Sequence, residues 1–155
     1  MQSFKDNEGQ TWNIALTLGK VRQLREKLGL DLLDSQHHLQ VLNSLTDRLA
    51  FVFLLVEEQA KERDVDAEAL ELRLCGDGIA TSASVAFCEE LESFFQRFGQ
   101  QVQARLTRTS IETMERANQR LDELINSGKV DSMLKDATKE MEAMMLGSDG
   151  SGLSS

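Results

Sequence analysis

The stretch Phe4-Lys5-Asp6-Asn7-Glu8-Gly9-Gln10-Thr11-Trp12-Asn13-Ile14-Ala15-Leu16 decides how the chain is built. Trp12, Ile14 and Leu16 alternate with Thr11, Asn13 and Ala15, which is the period of a strand with one apolar face. Phe4 stands on the other side of Asp6-Asn7-Glu8-Gly9, a run of turn formers with Gly9 placed for positive φ. The pattern predicts a β-hairpin with strands over 3–5 and 10–16. From Leu18 the apolar spacing changes to Leu18, Val21, Leu24 and Leu28, the spacing of a helix face. A two-stranded hairpin cannot bury its face alone. Its apolar residues are therefore expected either to dock on the apolar helices around Phe51 and Phe94 or to face another subunit.

Working outward, nearly everything after Leu18 reads as helix. Gly29 is a stop for the first one, because glycine tolerates the left-handed conformation past a helix end. Asp34 or Ser35 caps a helix through Leu45, and Thr46 or Asp47 is expected to restart a longer one to about Arg63. Its run Leu49-Ala50-Phe51-Val52-Phe53-Leu54-Leu55-Val56 is apolar nearly all round and predicts a central, fully buried helix. After a short helix and the turn Gly76-Asp77-Gly78, the residues Ile79, Ala83, Ala86, Phe87, Leu91, Phe94, Phe95 and Phe98 repeat at three and four. Asp77 is expected to cap that helix. Gly99 ends or bends it.

The last third has a narrower stripe: Val102, Leu106, Ile111, Met114, Ala117, Leu121, Leu124 and Ile125, then a final helix with Val130, Met133, Leu134, Ala137, Met141, Met144 and Met145 on one face. The expected fold is mainly α, a helical bundle with a short N-terminal β-hairpin and a long helical C-terminal extension. The expected organisation is a hairpin plus helical core over 1–98, a helical extension over 99–146, and a flexible tail over 147–155 rich in Gly and Ser.

Composition narrows the function classes. The chain has 155 residues, no proline, seven Phe, one Trp and no Tyr, so Leu, Ala and Met must fill most of the core. The formal charge is -9, which argues against a nucleic-acid binder, whose footprint is a basic patch. The charge is uneven: residues 1–30 hold five basic and three acidic side chains, residues 57–92 three basic and eleven acidic. Such an acidic block is a solvated face or a dock for a basic partner. The longest apolar run has eight residues, too short to span a bilayer. The N-terminus lacks the apolar core of a signal peptide, so the cytoplasm is the expected compartment.

No set of residues converges on a chemistry. His37 and His38 are adjacent, so on a helix they diverge by about 100° and cannot chelate one ion; they read as solvated or cap-proximal. Cys75 and Cys88 have no CxxC spacing and read as buried core thiols. Asp64-Val65-Asp66 fails as a calcium loop, with Ala69 and Cys75 where glycine and glutamate are needed, and reads instead as a helix cap. Cys75-Gly76-Asp77-Gly78 lacks the lysine of a phosphate loop, and Asp77 would repel a phosphate. Glu89, Glu90 and Glu92 read as a solvated face. The sequence predicts no enzyme, no cofactor and no metal. The one surface open to two readings is Met133, Leu134, Met141, Met144 and Met145. Methionine at helical spacing serves as core, and also as an adaptable docking face for a partner helix.

A resemblance adds to this. The residues Phe4 to Leu16, Gly19-Lys20-Val21-Arg22, Leu28-Gly29-Leu30-Asp31-Leu32-Leu33-Asp34, Gly76-Asp77-Gly78-Ile79-Ala80 and Glu89-Glu90-Leu91-Glu92-Ser93-Phe94-Phe95 together resemble small tail-assembly-chaperone-like proteins of bacteriophage and prophage tail clusters. The resemblance covers roughly residues 1–98, and its motifs are structural: Phe4, Gly9, Trp12, Ile14 and Leu16 of the hairpin, Asp77 as a cap, and Phe94 and Phe95 at an aromatic helix end. It implies a mostly helical cytoplasmic protein that does no chemistry, coats the tape-measure protein and keeps it soluble until tail tube subunits polymerise. Residues 99–155 fall outside it, which leaves the final helices open as an arm for the tape-measure protein or tube.

Two other classes compete: a structural minor tail protein retained in the virion, and a small helical adaptor or regulatory protein. Mass spectrometry of virions separates the first from a chaperone. Self-association is also expected, because an unpaired hairpin edge invites a second copy.

Overall fold

The structure, a computed structural model, describes residues 1–76 and 78–153, with the backbone alone for residue 130 and residues 147–153. The elements follow in the order β1 (Gln2–Lys5), β2 (Thr11–Ile14), α1 (Leu18–Leu28), α2 (Ser35–Asn43), α3 (Leu45–Glu62), α4 (Ala67–Arg73), α5 (Ile79–Arg97), α6 (Gln101–Asn126) and α7 (Lys129–Leu153). The fold is mainly helical, with one short N-terminal hairpin.

The hairpin is antiparallel, with Gln2 opposite Ile14, Ser3 opposite Asn13, Phe4 opposite Trp12 and Lys5 opposite Thr11. Its turn closes through Asp6 N–H to Gln10 C=O at 3.0 Å and Gly9 N–H to Asp6 C=O at 3.1 Å, with Gly9 at φ 79°. Phe4, Trp12, Ile14 and Leu16 are all buried. They lie on the chain's own α3 and α5, the helices that carry Phe51 and Phe94. Of the two expected destinations for this apolar face, the structure takes the intramolecular one.

The free edge of β2 is closed by side chains rather than by a third strand. Gln59 Oε1 accepts from Asn13 N–H at 3.0 Å, and Gln59 Nε2 donates to Asn13 C=O at 2.7 Å. The amide thus repeats the donor and acceptor of a neighbouring strand. Arg63 donates to Thr11 C=O at 2.8 Å and lies 4.5 Å over the Trp12 ring. Just past β2, Glu90 accepts from Leu16 N–H and Arg97 donates to Leu16 C=O at 3.0 Å. The turn is held from the other end: Asn7 Nδ2 donates to Leu72 C=O and Cys75 C=O, and Asn7 N–H to Arg73 C=O. The last carbonyls of α4, orphaned by the end of the helix, are thereby satisfied by the hairpin.

Local chemistry accounts for most helix ends. Thr17, Asp34, Ser44 and Asp66 are N-caps whose side chains accept backbone N–H bonds, and Gly29 ends α1 at φ 71°. The restart of the long helix is at Ser44, not at Thr46 or Asp47, because its hydroxyl reaches Asp47 N–H. At α5 the N-cap position is Gly78, with no side-chain bond; Asp77 lies outside the described residues. The central helix α3 is not buried all round: Phe51, Val52, Leu55 and Val56 are buried while Phe53 and Leu54 are half-buried. Phe94 and Phe95 are fully buried, but Phe98, at the end of the same stripe, is 46% exposed.

The chain divides into Met1–Glu112 and Thr113–Ser155. The expected boundary at residue 98 is therefore too early. Ala104, Thr107 and Ile111 of α6 are buried, so its first three turns belong to the core. The second unit holds the rest of α6 and all of α7. Backbone helix continues to Leu153, past Gly147 where a tail was expected. Extending an existing helix costs less than nucleating one, and the Met141–Leu146 run precedes those glycines.

Candidate functional site

The first unit buries several groups that carry chemistry elsewhere, and each has a structural partner. Asp6 accepts from Glu8 N–H and Gln10 N–H, from Trp12 Nε1 at 2.8 Å, and from Arg73 at 3.4 Å. Burial pushes its carboxyl pKa up, but the bonds from Trp12, Gln10, Glu8 and Arg73 together outweigh burial and hold it below the usual range. Glu90, expected on a solvated face, is buried; beyond Leu16 it meets Arg97 at 3.2 Å. Arg48 is buried as well, donating to Ser84 Oγ at 2.6 Å and to the carbonyls of Val41 and Leu42 at the end of α2. A cation at a helix C-terminus meets the negative end of the helix dipole, which offsets part of the cost of burial.

The histidines separate as the sequence requires, but not both to solvent. His37 Nδ1 accepts from Asp31 N–H at 3.0 Å and supports the turn before α2. His38 is buried, lies 4.8 Å from the Phe95 ring in an edge contact, and places Nε2 2.8 Å from Thr107 Oγ1. Thr107 Oγ1 also reaches its own helix at Gln103 C=O, 2.8 Å away. With the Thr107 hydroxyl proton given to Gln103 C=O, His38 Nε2 carries the proton and donates to Thr107 Oγ1. Burial pushes the His38 pKa down to about 4. The cysteines divide: Cys88 is buried, and burial pushes its thiol up to about 12, whereas Cys75 is exposed rather than in the core. Among the described residues no three His, Cys, Asp or Glu side chains converge to hold a metal ion. No single helix among them is long and apolar enough to cross a membrane.

The second unit has the opposite character. From Thr113 to Leu146 no described residue is buried; Met114, Leu124 and Gly128 are half-buried and the rest are exposed. Met133 is 68% exposed, Met141 65%, Met144 74% and Met145 68%. Leu134 and Leu146 are exposed beside them, as are Leu121 and Ile125 on α6. Within the second unit, the described methionines of this face are exposed. Helices of this length draw most of their stability from a packed apolar face. Among its described residues, this unit has the faces and no buried side chain.

A second exposed apolar feature lies within the first unit, where α6 leaves α5. Glu92, Val102, Ala104, Arg105, Leu106 and Arg108 are among the residues lining a groove there. Arg108 crosses it to Glu92 at 2.6 Å. The methionine face was singled out from the sequence, but this groove was not. The signal was present in the spacing of Val102, Leu106 and Thr109, which repeats at four and three on the side of α6 away from Ala104, Thr107 and Ile111. Comparison of the chain with protein-family models, curated proteins and solved structures found no match.

Proposed function

We propose that this protein is a non-enzymatic assembly chaperone whose second unit holds an amphipathic helical client, the tape-measure protein of a phage tail. One observation carries the reading: residues 113–146 display apolar helix faces with no core of their own. A large uncovered apolar surface marks an interaction site. Methionine suits it, because an unbranched, polarizable side chain adapts to more than one facing sequence. A tape-measure protein offers apolar helical stripes along its length, and Met133, Leu134, Met141, Met144 and Met145 would cover them in turn. The first unit supplies a self-contained helical body whose buried polar groups serve packing. The resemblance of residues 1–98 to tail-assembly-chaperone-like proteins supports the same reading.

Co-expression with a phage tape-measure protein tests this. The reading expects a gain in that protein's solubility and co-purification of the two. No gain and no co-purification would overturn it.

A further inference from the structure

We infer that the outer edge of β1 pairs with β1 of a second copy of this chain, joining two hairpins into one sheet. The register identifies that edge. Asn13 gives its N–H and C=O to Gln59, and Thr11 its C=O to Arg63, so both residues turn their backbone groups away from β1. In an antiparallel pair the hydrogen-bonding direction alternates along each strand. The residues opposite them, Ser3 and Lys5, therefore turn their own N–H and C=O away from β2. Among the described residues nothing bonds to these backbone groups. Both residues are exposed. A groove of about 510 Å³ lies beside them, with Phe4, Gly78, Ile79 and Ser82 also in its walls. The edge is open.

Such an edge recognises an extended backbone, which presents acceptors and donors at the same spacing. Among the described residues the chain holds no third strand to supply one. A second β1 does supply it. Laid antiparallel about a two-fold axis, Ser3 stands opposite the partner's Lys5 and Lys5 opposite the partner's Ser3. Each pair then exchanges both of its N–H···O=C bonds. The register that sets Lys5 against Lys5 is opposed by like charge. The joined sheet runs β2-β1-β1-β2, and its outer edges are the ones Gln59 already closes. Association therefore stops at two copies. Two strands of four residues cover less than the ~1,200 Å² of a stable interface, so the dimer exchanges reversibly with monomer. The inference does not rest on the client reading.

Residue-resolved amide exchange on the purified full-length chain, without client, tests it beside sedimentation velocity. The chain is expected to pass from monomer to dimer with rising concentration. The Ser3 and Lys5 amides are expected to slow by about tenfold or more as it does. The Phe4 amide, on the β2 side of the strand, should be protected throughout. Ser3→Pro removes an outward donor and leaves the β1–β2 ladder intact, since proline is tolerated on an edge. The loss counts twice in a symmetric dimer, so association should weaken about tenfold. Trp12 fluorescence reports whether the hairpin is kept, and exchange in the unaltered chain decides the matter even if that variant does not fold. A chain that is monomeric at every concentration, or a dimer whose Ser3 and Lys5 amides exchange as fast as in the monomer, would overturn the inference.

Discussion

His38 on α2 and Thr107 on α6 meet at 2.8 Å inside the core, and among the described residues no carboxylate bonds to the imidazole there. The bond joins a residue near the start of the body to the helix that leads out of it. Burial holds the ring neutral, with its pKa near 4 against 6.5 when unfolded. Between those values the unfolded chain binds a proton that the folded chain refuses. Stability is therefore full above pH 6.5 and falls as pH drops toward 4. The loss between pH 7 and pH 5 is expected to be about 2 kcal/mol. Urea unfolding at the two pH values measures it, and His38→Leu should remove most of the difference. An unchanged difference in that variant would assign the effect to other groups.

Gln59 stands where a third strand would. Replacing it with Leu keeps the stem but leaves Asn13 N–H and C=O without their partners. The expected cost is about 1–2 kcal/mol, the range for orphaned polar groups that water only partly reaches. A Gln59→Leu chain as stable as the parent would show that water replaces the amide fully.

Asp6 organises the turn and the single tryptophan together. Asp6→Ala orphans the buried Trp12 Nε1–H and removes both turn bonds, an expected loss of about 3 kcal/mol. Asp6→Asn retains an acceptor and should lose less. Trp12 fluorescence during denaturation reports both. Because the carboxyl pKa is held below the usual range, its contribution is present at neutral pH and fades as pH falls through the lowered value.

Much of this fold was legible because it rests on local chemistry. Gly9 and Gly29 adopt positive φ, Asp34 and Asp66 cap helices, and the change of period at Leu18 marks the start of α1. The buried polar residues were missed, though their positions follow the periodicity. Glu90 stands with Phe87, Leu91 and Phe94, Arg48 with Phe51 and Val52, and His38 with Val41 and Leu42, each at core spacing. Their charge suggested solvent, and the partners that satisfy them, Leu16, Ser84 and Thr107, lie far along the chain. For the same reason the boundary fell at Gly99 in the sequence and at Glu112 in the structure. Thr107 is polar and stands outside the apolar stripe read for α6, yet it is the residue that meets His38. The methionine face was legible as a surface; whether it was covered was not, since coverage depends on packing that no local pattern encodes.

Substitutions on that face should leave folding almost untouched. Met144→Asp removes no packed contact in a helix where every described side chain is exposed. Its unfolding free energy, followed by Trp12, is expected within about 0.5 kcal/mol of the parent. A larger loss would mean that the face packs inside its own chain.

Amide hydrogen exchange tests the central claim most directly, comparing the dilute chain alone with the chain mixed with a tape-measure protein, its proposed client. Alone, the amides of residues 113–146 should exchange rapidly, while those of the hairpin, α3 and α5 exchange slowly. In the complex, protection is predicted to rise across 113–146 and to stay unchanged in the body. Protection confined to residues 1–112, or none at all, would contradict the account.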